Sequence, residues 1–255
     1  MKPTLDSPVR PATTAVSVSS VAPDLVVGGG VTVAVAWFAG VVTGTGAVPL
    51  LGPTAALYLA LSVLLIRGLP RHLPGPGLGP PNRITLGRAA LVLPVAAFVM
   101  PGVPLTTTAL WWVIGASTLA LSLDGVDGRV ARRTGTATPF GARFDMELDA
   151  FLLLALSVLV WQSGQVGGWV ILIGALRYLF IAAGWVQPRL QGELPPSFRR
   201  KTVCVVQGVA LLVALGPIIP PWLAGAVAGT ALVLLVYSFG VDALWLLRHG
   251  EPPAG

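Results

Sequence analysis

Eight long apolar stretches, joined by short polar loops, limit what this 255-residue chain can fold into. They fall at about 25–43, 49–66, 84–100, 106–126, 142–162, 168–187, 202–219 and 222–247, each near the roughly 20 residues that span a bilayer as a helix. In lipid, every backbone N–H and C=O must be satisfied within the segment, so a bundle of helices is the expected outcome. Charged residues are only 10% of the chain, whereas a soluble domain carries about 25%. The predicted class is therefore all-α: a polytopic membrane helix bundle of about eight transmembrane helices.

Charge placement orients that bundle. Lys2 and Arg10 precede the first stretch, and Arg67, Arg71 and Arg83 lie between the second and third. Arg129, Arg132 and Arg133 follow the fourth, Arg189, Arg199, Arg200 and Lys201 follow the sixth, and Arg248 follows the last. The opposite connections, near Thr43–Val48, Pro101–Leu105, Gln162–Gly167 and Gly216–Pro221, hold no Lys or Arg. The positive-inside rule then predicts both termini at the cytoplasmic face, in what reads as a bacterial plasma membrane. The net charge of +6 is topology plus anion binding. No basic stripe interleaved with aromatics appears, so nucleic acid is excluded as a partner.

Five parts are expected along the chain: a disordered cytoplasmic tail (1–23), an N-terminal transmembrane hairpin (24–66), a Pro/Gly-rich linker (67–81), a six-helix core (82–248) and a short C-terminal tail (249–255). The first apolar run starts too far from Met1 for a cleaved signal peptide. Cys204 is the only cysteine, which excludes a disulfide framework or thiolate metal site. Gly225 and Gly229 form a G-x-x-x-G, read first as close helix packing within the core and second as a dimer seam.

The chemistry lies between the fourth and fifth stretches. Asp124, Asp127, Gly128, Ala131, Arg132, Gly141, Asp145 and Asp149 stand in the pattern D-x2-D-G-x2-A-R-x8-G-x3-D-x3-D. Asp124 and Asp127 are three apart and Asp145 and Asp149 four apart, so on helices each pair shares a face. Ionisable groups at the end of a membrane span are costly and mark function by default. At about 5 Å and an effective dielectric near 20, each close carboxylate pair repels by about 3 kcal/mol, a conflict a divalent cation removes. An all-oxygen donor set without His or Cys favours Mg²⁺ or Mn²⁺ over zinc.

All eight fixed positions agree with the signature of the CDP-alcohol phosphotransferase family, and the chain resembles its phosphatidylglycerophosphate synthase-like members over about residues 80–247. The resemblance implies a metal-dependent transferase. It would move a phosphatidyl group from CDP-diacylglycerol to the hydroxyl of a small polar acceptor, such as glycerol 3-phosphate or an inositol phosphate, releasing CMP. It further implies that Asp124, Asp127, Asp145 and Asp149 ligate two Mg²⁺ or Mn²⁺ ions, and that Asp149 is the general base. Gly128, Ala131 and Gly141 would give the nucleotide room, Asp127 would lie against it, and Arg132 would contact phosphate.

Pro81-Asn82-Arg83-Ile84-Thr85-Leu86-Gly87-Arg88 is similar to the P-N-x-x-T-x-x-R start of such members, which places Asn82 and Thr85 at the nucleotide; helix capping and a backbone-bonded hydroxyl are their structural alternatives. Lys201-Thr202 with Gln207 resembles the start of the family's fifth core span. Arg177, Arg199, Arg200 and Lys201 are candidates for the acceptor phosphate. Arg177 could instead pair with a carboxylate of the cluster, and the loop cations could be topology signals. The family tends to form homodimers. Two rival readings remain from the residues themselves: an intramembrane prenyltransferase, also built on Asp clusters and Mg²⁺, and a cation transporter, which would place its carboxylates near the midplane of several spans.

Overall fold

Capping and proline chemistry set where the helices begin. The computed structural model describes residues 13–15, 17–74, 77–134, 138–192, 194–195 and 197–249, the side chains of 13–15, 74 and 125–134 excepted. Among these residues the helices are α1 (Val18–Val42), α2 (Val48–Arg67), α3 (Pro80–Ala97), α4 (Thr107–Thr134), α5 (Pro139–Gln162), α6 (Ile171–Val186), α7 (Phe198–Leu215) and α8 (Pro221–His249). A 3₁₀ turn, Gly168–Val170, leads into α6. Each expected apolar stretch corresponds to one helix.

Four of these elements, α1, α2, Gly168–Val186 and α8, are long and apolar enough to cross a membrane. The other four carry most of the ionisable side chains, among them Arg83 and Arg88 on α3, Asp124 on α4, Asp145, Glu147 and Asp149 on α5, and Arg199, Arg200 and Lys201 on α7, while Asp24 on α1, Arg177 on α6 and Asp242 on α8 interrupt the apolar ones. The chain is thus a helical integral membrane protein.

Two boundaries differ from expectation. Helix α1 begins at Val18, inside the segment expected to be a tail through residue 23. Ser17 and Ser20 form a reciprocal cap, each hydroxyl accepting from the other's backbone N–H at 3.3 and 3.1 Å, which satisfies N–H groups that a helix start otherwise leaves bare. Just before it, β1 (Thr13–Ala15) pairs antiparallel with β2 (His72–Pro74) in the loop after α2. Helix α3 begins at Pro80, earlier than expected, because prolines 80 and 81 occupy the first turn, where a missing N–H costs nothing.

Helix α5 runs through the middle of the bundle, against α3, α4, α6 and α7. Its Leu148, Leu152, Leu156 and Leu159 are buried with Val92 and Val95 of α3, Val113 of α4, and Leu211 and Ala214 of α7. Small residues let backbones approach: a Cβ on Gly174 of α6 would meet the Leu154 backbone of α5. The G-x-x-x-G of α8 is not used this way. A Cβ at Gly225 would meet nothing within 4 Å, and one at Gly229 only the Trp169 ring at 3.8 Å. The expectation of close packing within the core is corrected: Ala224, Ala228 and Ala231, one helical face away, form the buried seam of α8. A second cluster, with Val21, Leu25, Tyr58, Leu78, Leu86 and Phe144, joins the N-terminal hairpin to α3 and α5.

Candidate active site

Two helices deliver the carboxylates to one point. Asp124 sits on α4, and Asp145 and Asp149 lie one turn apart near the start of α5. Thr138 caps that start, its hydroxyl accepting from the Gly141 N–H at 3.1 Å. Carboxylate oxygens of Asp124, Asp145 and Asp149 lie within 4.8 Å of one another. The fourth expected ligand, Asp127, and Gly128, Ala131 and Arg132 follow Asp124 on α4, and their side chains lie outside the described residues.

The group binding this trio is Arg88 of α3, whose side chain is fully buried. Its Nε donates to the Ala120 carbonyl at 3.0 Å. Its Nη1 donates to Asp124 Oδ1 at 3.1 Å and to Asp145, and its Nη2 donates to Asp149. One planar fork therefore ties α3, α4 and α5 together, a task its five fixed donors suit. The sequence had shown Arg88 only as the last letter of P-N-x-x-T-x-x-R. A cation followed by the apolar run Ala89–Met100 was the available signal, since such a residue needs a buried partner.

The trio fits a divalent cation on its own chemistry. Its donors are all hard oxygens, converging within one coordination sphere. Arg88 reaches them from the buried side, while the carboxylates keep 41%, 31% and 19% of their side-chain surface, in the order Asp124, Asp145 and Asp149. Three carboxylates share the Arg88 guanidinium, and a divalent ion would add positive charge to that set.

Asn82 and Thr85 are buried on α3. The Asn82 amide donates to the Leu78 carbonyl at 2.7 Å, and the Thr85 hydroxyl to the Pro81 carbonyl at 3.2 Å. Gly79, not Asn82, occupies the cap position of α3. Gly141 faces the Asn82 amide: a Cβ there would collide with Asn82 Oδ1 and lie 3.2 Å from Thr138 Oγ1. The glycine thus leaves room for the Asn82 amide between α3 and α5.

The candidate acceptor residues are placed apart. Arg177 of α6 donates to Glu147 Oε1 at 2.5 Å, with no contact to the Asp trio, and its Nε is buried without a hydrogen-bond partner. Arg199 and Arg200 both donate to Asp242 Oδ1 of α8, at 2.5 and 3.3 Å. Arg199 also donates to the Ser238 carbonyl at 2.7 Å, and Arg200 to the Pro195 carbonyl. Lys201 is exposed. The Arg pair is therefore held as a clasp between α7 and α8.

A sequence model of CDP-alcohol phosphatidyltransferases matches residues 79–238, more than half of the chain and the whole of the site. The chain belongs to the CDP-alcohol phosphatidyltransferase family. It is similar to a CDP-diacylglycerol–glycerol-3-phosphate 3-phosphatidyltransferase of Pseudomonas fluorescens, 30% identical over 62% of this chain and 79% of that protein. It is similar to the "Probable phosphatidylglycerophosphate synthase" of Mycobacterium tuberculosis, 31% identical over 51% of this chain and 62% of that protein. A shorter match, 36% identical over 29% of this chain and 21% of the relative, is to human ethanolaminephosphotransferase 1. No solved structure matches the chain. Membership in the CDP-alcohol phosphatidyltransferase family sets aside the prenyltransferase and transporter readings. The hairpin α1–α2 lies outside the matched segment.

Proposed function

We propose that this chain transfers a phosphatidyl group from CDP-diacylglycerol to the hydroxyl of a phosphorylated polyol, glycerol 3-phosphate being the preferred candidate. The convergence of Asp124, Asp145 and Asp149 carries this reading, because a diphosphate donor needs a cation held by hard oxygens. The two bacterial relatives, both named for making phosphatidylglycerophosphate or for using glycerol 3-phosphate, support the choice of acceptor. The proposed topology has eight spans, with both termini and the site at the cytoplasmic face of a bacterial membrane. It rests on the basic residues of alternate loops. A homodimer belongs to the same reading.

Asp124, Asp145, Asp149 and, from the motif, Asp127 would hold Mg²⁺ or Mn²⁺, as one or two ions. Bound there, the metal supplies neutralisation of the diphosphate charge and stabilisation of the leaving phosphate. Asn82, Thr85, Gly128, Ala131 and Gly141 would cradle the cytidine nucleotide, and Arg132 would grip its phosphate. Asp149 would take the proton of the acceptor hydroxyl. That oxygen forms a bond to the β-phosphorus, the bond from the β-phosphorus to the bridging oxygen breaks, and its electron pair leaves with CMP. Arg177, paired with Glu147 on α5, is a candidate cation for the acceptor phosphate. Arg199, Arg200 and Lys201 would act only after release from the α7–α8 clasp.

The deciding experiment is CMP release by purified protein with CDP-diacylglycerol and Mg²⁺, in separate tubes with glycerol 3-phosphate, inositol 1-phosphate, inositol or serine. Release that depends on glycerol 3-phosphate is the expected result. Release with serine or inositol alone overturns the acceptor assignment, and no release in any tube overturns the donor. A second expectation concerns Gly141→Ala. Its Cβ displaces the Asn82 amide, so kcat/KM for CDP-diacylglycerol should fall about tenfold or more, through the donor KM. An unchanged donor KM removes Asn82 and Gly141 from the nucleotide site.

A further inference from the structure

The hairpin α1–α2 grips the start of α3 through a charged side chain. Asp24 of α1 is largely buried, and its Oδ1 lies 2.9 Å from Arg83 Nε on α3. Its Oδ2 accepts from the Leu78 N–H at 2.8 Å. Gly77, at φ +67°, passes so close that a Cβ there would collide with the same carboxylate oxygen. On the other side of the same residue, the Leu78 carbonyl accepts from the Asn82 amide at 2.7 Å. That bond fixes which end of the Asn82 amide faces Gly141. A continuous relay therefore runs from Asp24 through Leu78 to Asn82, which faces Gly141 one helical turn before Asp145.

The surrounding hairpin makes the relay stiff. Leu78 is buried with Val21 and Leu25 of α1. The Tyr58 hydroxyl of α2 donates to the Leu25 carbonyl at 2.5 Å, one residue beyond Asp24. A Cβ on Gly28 would come within 2.7 Å of both Tyr58 and Leu86, so α1, α2 and α3 meet with no slack. A buried carboxylate with two partners is costly to disturb, because losing one partner leaves charge unsatisfied.

We propose that Asp24 is a positioning residue for the donor nucleotide, and that the N-terminal hairpin serves as a mould holding the start of α3 in its binding geometry. Asp24 acts through the Leu78 peptide on Asn82 and touches no substrate. The proposal rests on the reading that Asn82 binds the nucleotide of CDP-diacylglycerol.

The test uses the full chain in detergent, with CMP release measured against CDP-diacylglycerol and glycerol 3-phosphate in turn, and thermal midpoints recorded alongside. Asp24→Asn keeps the shape and removes the charge. Gly77→Ala removes no charge but drives a methyl against the carboxylate. Both should raise the donor KM about five- to tenfold, leaving the acceptor KM within about twofold and kcat within about threefold. If Asp24→Asn does not yield folded protein, Gly77→Ala carries the measurement. Asn82→Ala is the control. A raised donor KM in Asn82→Ala, with only the midpoint lowered in the other two, makes Asp24 a simple fastening and overturns the proposal. Equal rises in donor and acceptor KM also overturn it. An unchanged donor KM in Asn82→Ala overturns the nucleotide role of Asn82 and the proposal together, while the carboxylate chemistry stands.

Discussion

Asp149→Asn is expected to lower acceptor-dependent CMP release by about a thousandfold while leaving CDP-diacylglycerol binding within a few-fold. General-base assistance is commonly worth about 10²–10⁴-fold, and an amide cannot take the acceptor's proton. The substitution keeps the size of the side chain and an oxygen able to accept from Arg88, so the junction of α3 and α5 is retained. Single-turnover CMP release and equilibrium titration with CDP-diacylglycerol separate the two quantities. Activity within tenfold of the parent would move the general-base role to another carboxylate.

Arg88→Gln is the second large effect, and it reads on stability before activity. Removing one partner from a buried charged cluster costs about 3–5 kcal/mol, because the remaining charges lose their compensation. Here three carboxylates share the Arg88 guanidinium. The variant should melt well below the parent in EDTA and recover part of the difference in millimolar Mg²⁺, with a larger metal-induced shift than the parent shows. A divalent ion then replaces some of the lost positive charge. Arg88→Lys should behave in between, since one ammonium cannot reach Ala120, Asp145 and Asp149 in a single geometry. Equal metal-induced shifts in parent and variant would mean that the carboxylates do not depend on Arg88 for charge balance.

Local patterns were legible in the sequence, and distant pairings were not. Asp145 and Asp149 could be placed together because a spacing of four puts them on one helical face, and each apolar run marked a helix. Arg88 could not be assigned, because its carboxylate partners lie 36, 57 and 61 positions away. Only the folded bundle brings those positions together. Asp24 and Leu78, 54 apart, escaped for the same reason. Arg199 and Arg200 had acceptor-phosphate and topology readings in the sequence, and the bundle places both on Asp242 of α8. The start of α1 was a different kind of miss: Ser17 and Ser20 gave a local capping signal inside a segment whose composition suggested disorder. At Gly225 and Gly229 a correct motif pointed to the wrong face, because Ala224 and Ala228 already formed the seam.

The Arg88 cluster also bears on how the chain is made. An arginine or aspartate at the centre of an inserted helix costs about 2.5–3.5 kcal/mol on insertion scales. As α3 leaves the ribosome, Arg88 enters the membrane region alone. Its first carboxylate arrives with α4, and the remaining two only when α5 has been synthesised. Until then each segment is a substandard passenger for one-at-a-time release into lipid. On the proposed eight-span topology, α3 and α4 would need shelter until α5 docks, so that the group that assembles the chemistry would also set the order of biogenesis.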